Sequence, residues 1–122
     1  MKWNSKFNYQ KYSRSTEGGI RRYLFGDEKL PSVTTILGRT KDTSFLNDWI
    51  ARKGRKEAER IKNQSATRGT AMHKYLENYV LGKGYEDLTE LGQETKRMAE
   101  KVIEVGLAPV SGYFGSEVTV YY

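Results

Sequence analysis

The chain has 122 residues, enough for one domain with a modest core. It has no cysteine, which excludes disulfides and thiolate metal sites and leaves oxygen and imidazole as metal ligands. A net charge of +6, with no apolar stretch of signal-peptide type and no run near the roughly 18 apolar residues of a membrane span, points to a soluble, intracellular protein with no membrane partner.

Residues 7 to 25 read as a β-hairpin. "FNYQKYS" alternates Phe7, Tyr9 and Lys11 against Asn8, Gln10 and Tyr12, "TEGG" supplies the turn, and "IRRYLF" returns. In "LPSVTTIL", Pro31 favours an extended Leu30, and Ser32 is suited to cap a short helix carrying Val33, Ile36 and Leu37. The β-branched run Val33–Thr35 keeps a strand open as the alternative, and Gly38 is placed to end the element.

Residues 44 to 63 read as a helix capped by Thr43 or Ser44, with Phe45, Leu46, Trp49 and Ile50 on its buried face. Its second half is polar and basic and faces solvent or a partner. A separate helix is expected over "SATRGTAMHKYLENYVLG", capped near Ser65 or Thr67, with Met72, Leu76, Tyr79 and Val80 as its apolar stripe and Gly82 as its stop. After the "GKGYED" loop, residues 88 to 105 form a helix whose stripe Leu88, Leu91, Thr95, Met98, Val102 and Val105 is expected to pack the core. Alternation in "FGSEVTVYY" predicts a closing strand.

The charge is uneven. Residues 1 to 30 carry +4, residues 52 to 68 carry +5, and residues 69 to 122 carry −3. A basic front with an acidic back suits a polyanion on one side, although a charge run is equally the mark of a solvated helix face. The basic helix supplies Arg52, Lys53, Arg55, Lys56, Arg60 and Lys62 as candidate phosphate contacts. Tyr9, Tyr12 and Tyr23 are suited to stack on unpaired bases, whereas Phe45 and Trp49 read more readily as core.

The single histidine, His73, stands four residues before Glu77, so a helix projects the two side by side. Imidazole and carboxylate are acceptable ligands for Mg²⁺ or Mn²⁺. The plain alternatives are a packed histidine and a surface carboxylate paired with Lys74. Glu117 either lines a cleft as an accessory carboxylate or faces solvent.

Three stretches in order, "RRYLFGDEKLPSVTTIL", "RGTAMHKYLE" and "SEVTVYY", resemble the RecB-like exonucleases of the PD-(D/E)XK superfamily, in the branch of mitochondrial genome maintenance exonuclease and related phage exonucleases. The resemblance covers about residues 20 to 122. It implies a catalytic role for His73 and Glu77, with His73 at the metal, and DNA contact by Arg68, Gly69 and Thr70, where Arg68 meets a phosphate at a helix N-terminus. It also implies later strands bearing an aspartate and a D/E-x-K motif, which this sequence does not contain before Tyr122. "DEK" (27–29) and "YED" (85–87) do not lie where a substitute would have to lie.

The expected fold is therefore α+β: an N-terminal β-hairpin extension (1–30), three to four helices (31–108), and the first strand (113–122) of an incomplete restriction-endonuclease-like mixed sheet, all in a single, truncated nuclease domain. The expected function is a portion of a Mg²⁺- or Mn²⁺-dependent exonuclease acting on single-stranded DNA ends, inactive alone. A second chain or downstream segment would complete the sheet, in a host cytoplasm for a phage-type lineage. The alternatives are a non-catalytic nucleic-acid-binding module and a scaffold for a partner chain.

Overall fold

In a computed structural model that describes residues 1–84 and 87–121, backbone hydrogen bonds build β1 (Lys2–Trp3), β2 (Arg14–Glu17), β3 (Ile20–Phe25), β4 (Glu28–Pro31), α1 (Val33–Thr40), α2 (Ser44–Lys53), α3 (Arg55–Val80), α4 (Glu90–Lys101), a π-helical stretch (Val102–Leu107) and β5 (Gly112–Tyr113). The chain is mixed α+β. It divides into two compact units: residues 9–53 with 119–122, and residues 1–8 with 54–118.

In the unit of residues 9–53, β2, β3 and β4 form an antiparallel meander, with Glu17 opposite Ile20 and Phe25 opposite Glu28. Gly18 and Gly19 take φ of 58° and 77°, the conformation a two-residue hairpin turn demands. The hairpin therefore stands, but its first strand begins at Arg14, and the alternation in Phe7–Tyr12 builds no strand. Tyr12, Phe25 and Tyr121 instead cluster, with ring centroids 4.6 to 6.1 Å apart. Ser32 caps α1 by accepting from the Thr35 N–H at 3.1 Å, and the helix runs through Gly38 to Thr40. In α2, Phe45 is 78% exposed, so the expected buried face is open there.

Gly54 sets the largest departure from expectation. Its φ of 86° and ψ of 146° are accessible to glycine and costly to other residues, and they stop α2 well before the expected end at residue 63. Helix α3 then runs unbroken from Arg55 to Val80. Ser65 and Thr67 cap nothing: they lie inside α3, and the Thr67 and Thr70 hydroxyls donate back to the carbonyls of Asn63 and Ala66, both at 2.9 Å.

In the unit of residues 54–118, α3 packs on α4. Thr89 caps α4 by accepting from the Gly92 N–H at 3.0 Å. The face of α4 that is buried is Gly92, Thr95 and Ala99, three small residues at spacings of three and four. That line is rotated from the expected stripe. Thr95 is buried as expected, but Leu88 and Val105 are 75% and 64% exposed.

The closing strand is corrected as well. Only Gly112 and Tyr113 pair, parallel to Lys2 and Trp3, and residues 114–121 form no strand. Glu117 takes φ of 53°, which breaks an extended run. Phe114 is held instead by Phe7, edge to face at 5.1 Å, and its carbonyl accepts from the Trp3 indole at 3.3 Å. Tyr122 of that expected strand, and Tyr85 and Glu86 of the expected loop, lie outside the described residues.

Candidate functional site

Helix α3 carries most of the residues singled out by sequence, and its periodicity sorts them. Arg55, Lys62, Gly69 and His73 follow at spacings of seven, seven and four, so they lie along one face over about 27 Å of helix. Glu77 comes one turn later. No ion pair at Arg55, Lys56 or Lys62 is present among the described residues, so these cations are open to an external anion. Arg60 is committed: its guanidinium donates to both carboxylate oxygens of Glu57, at 3.0 and 2.6 Å. That pairing holds Arg60 more firmly protonated than usual.

Arg68 is not at a helix N-terminus, as the expected cap at Ser65 or Thr67 would have made it, but in the middle of α3. Five residues before His73, it lies about 140° round the helix from it and on the side of α4. There its Nη1 donates to Glu94 Oε1 at 3.2 Å. Gly69 shares the His73 face, and a Cβ built on it would meet nothing within 4 Å, so no part of the chain requires a glycine there. Thr70 is exposed, with its hydroxyl turned back to its own helix. Arg52 and Lys53 form the last turn of α2, where cations suit the helix dipole, and belong to the other unit.

The imidazole of His73 is 76% exposed, so it is not a packed core histidine. Its Nδ1 lies 3.6 Å from Glu117 Oε1, an electrostatic contact just beyond hydrogen-bond range. Glu77 turns to Lys74, with Oε2 3.4 Å from Nζ, and its side chain is only 26% exposed. Sequence placed His73 beside Glu77; the carboxylate within reach of the ring is Glu117. Sequence offered Glu117 on the expected closing strand, as an accessory cleft carboxylate or a solvent-facing one, with nothing that paired it to His73.

As a donor, the His73 Nε2 fits one position of a divalent-ion shell, with Glu117 beside Nδ1 as the partner that orients the ring. Mn²⁺ tolerates imidazole among oxygen ligands better than Mg²⁺, which wants an octahedron of oxygens. Among the described residues no three His, Asp or Glu side chains come together as a potential metal site. No helix among them is long and apolar enough to cross a membrane. No protein-family model, no curated protein and no solved structure matches the chain.

Proposed function

We propose that this chain takes part in metal-dependent hydrolysis of single-stranded DNA ends, as the RecB-like PD-(D/E)XK exonucleases that its sequence resembles do. One observation carries the reading: a solvent-open imidazole with a carboxylate beside it stands on the same helix face as the cations Arg55 and Lys62, which have no ion pair among the described residues. The cations would track the phosphate backbone and deliver it to His73. A Mg²⁺ or Mn²⁺ ion, when bound, polarises a phosphoryl oxygen and lowers the pKa of an attacking water. His73 would hold such an ion, with Glu117 orienting its ring, and a partner chain would supply the remaining carboxylates. Glu77 contributes only after leaving Lys74.

The test is Mn²⁺ titration followed by paramagnetic broadening of amide NMR signals. Broadening centred on His73 and Glu117, and lost in His73→Ala, supports the reading. Broadening centred elsewhere, or persisting in His73→Ala, removes it.

The Lys74–Glu77 contact favours a second reading, a nucleic-acid-binding module without cleavage, because it occupies the carboxylate that catalysis would use. Salt-sensitive binding of single strands with no Mn²⁺ site selects that reading.

A further inference from the structure

A cavity of about 380 Å³ opens on the opposite flank of α4 from the Arg68–Glu94 pair, walled by Tyr75 of α3, Asp87 and Leu88 before α4, and Gly92, Gln93, Lys96, Arg97 and Glu100 along it. None of this lining belongs to the face of His73. We propose that this cavity binds one unpaired nucleotide of a single strand, with a preference for bases that carry an exocyclic amino group. The inference rests on the nucleic-acid reading above and names the substrate class that the reading leaves broad.

Three features carry it. The walls divide by chemistry: the exposed Leu88 offers an apolar surface against which a base face packs, beside polar and charged groups. Next, Asp87 is fixed above Gly92. Its Oδ1 accepts from the Thr89 N–H at 2.9 Å and hydroxyl at 2.6 Å, and a Cβ at residue 92 would collide with its carboxyl group. Glycine here is required by the carboxylate it seats. The second oxygen of that carboxylate remains an acceptor for an amino group such as cytosine N4.

The third feature is spacing. Lys96 stands one turn beyond Gly92, about 6 Å along the helix axis, comparable to the separation of base and phosphate within a nucleotide. Arg97 follows, with no ion pair among the described residues, while Lys96 has only a loose contact with Glu100 at 4.0 Å. The Gln93 amide nitrogen is occupied by the Leu88 carbonyl at 3.3 Å, which leaves its oxygen as a further acceptor for a base amino group. The mixed charge of the lining therefore matches a ligand that is a donor at one end and an anion at the other. A bare anion would meet Asp87 and Glu100, and a double-stranded segment keeps its amino groups in base pairs.

The experiment has two arms on the 122-residue chain. Deoxycytidine monophosphate and thymidine monophosphate are titrated separately and followed by amide NMR. Binding of oligo(dC) and of a blunt duplex is then compared for the parent and Lys96→Ala/Arg97→Ala, with thermal unfolding as the folding control. Expected are shifts confined to residues 87 to 100, larger for the cytidine nucleotide. For oligo(dC), the magnitude of the slope of log affinity against log salt should fall by about 0.7, for the one phosphate that no longer meets a cation, with duplex binding unchanged. The absence of local shifts, equal shifts with both nucleotides, or an equal loss for duplex overturns the proposal. Mn²⁺ broadening at His73 is independent of this outcome, so the two readings fail separately.

Discussion

The Nδ1 atom of His73 stands 3.6 Å from Oε1 of Glu117, and Glu117 holds that place with a backbone φ of 53°. Positive φ costs a residue with a Cβ on the order of 1–2 kcal/mol, so this loop is bent at some expense at the point where its carboxylate meets the ring. A carboxylate beside Nδ1 favours the tautomer that carries its proton there and leaves the Nε2 lone pair for a metal.

Glu117→Gln is therefore expected to weaken Mn²⁺ affinity about tenfold or more, the usual consequence of removing an orienting partner, while His73→Ala abolishes it. Glu117→Gly separates backbone from side chain. It relieves the positive φ and removes an interaction worth little at this exposure, so stability against urea should hold or rise by up to about 1 kcal/mol. A marked loss of stability in Glu117→Gly would show that the ring contact organises the loop.

Arg68 and Glu94 form an ion pair that links α3 to α4. Both side chains are more than one-third exposed, so solvent screening limits the pair to below about 1 kcal/mol in a double-mutant cycle, and less at high salt. Arg68→Ala should cost single-strand affinity less than Arg55→Ala/Lys62→Ala, whose side chains have no ion-pair partner among the described residues to leave. The double variant should lower the salt slope for single strands by about 1.4. An Arg68→Ala effect on DNA binding equal to that of the double variant would move the interface to the α4 side.

The legibility of this chain follows the range of the forces involved. The Gly18–Gly19 turn, the Ser32 cap and the Gly82 stop are local and readable from a few residues. The break at Gly54 is equally local but hidden, because helical charge and apolar spacing continue across it on both sides. The α4 face departs from its sequence pattern for a tertiary reason. Leu88 and Met98 carry the stronger hydrophobic signal, yet both are exposed and the buried residues of α4, which packs on α3, are the small Gly92, Thr95 and Ala99. The pairing of His73 with Glu117 spans 44 positions and depends on an irregular loop, for which no periodicity exists to be read.

Asp87 gives a pH test. Hydrogen bonds from the Thr89 hydroxyl and backbone N–H hold its carboxyl below the usual aspartate range. With the folded pKa depressed, its contribution is complete above the unfolded value and is lost as pH falls through the folded one. Amide-exchange protection at the start of α4 should decline in that acid window. Asp87→Asn should remove the decline, since an amide oxygen still accepts but does not titrate. A decline of equal size in Asp87→Asn would assign it to another group.

Gly69 separates structure from function most directly. It sits inside α3 with open space where a Cβ would lie, so Gly69→Ala should stabilise the chain by about 0.5–1 kcal/mol through helix propensity alone. The same methyl group stands on the face shared by Lys62 and His73, where the proposed DNA backbone would pass. A rise in the urea midpoint with a several-fold loss of single-strand affinity is the expected pair of results. Stabilisation with unchanged affinity would mean that no strand comes close to this part of the helix, and the proposed path from Arg55 to His73 would have to be abandoned.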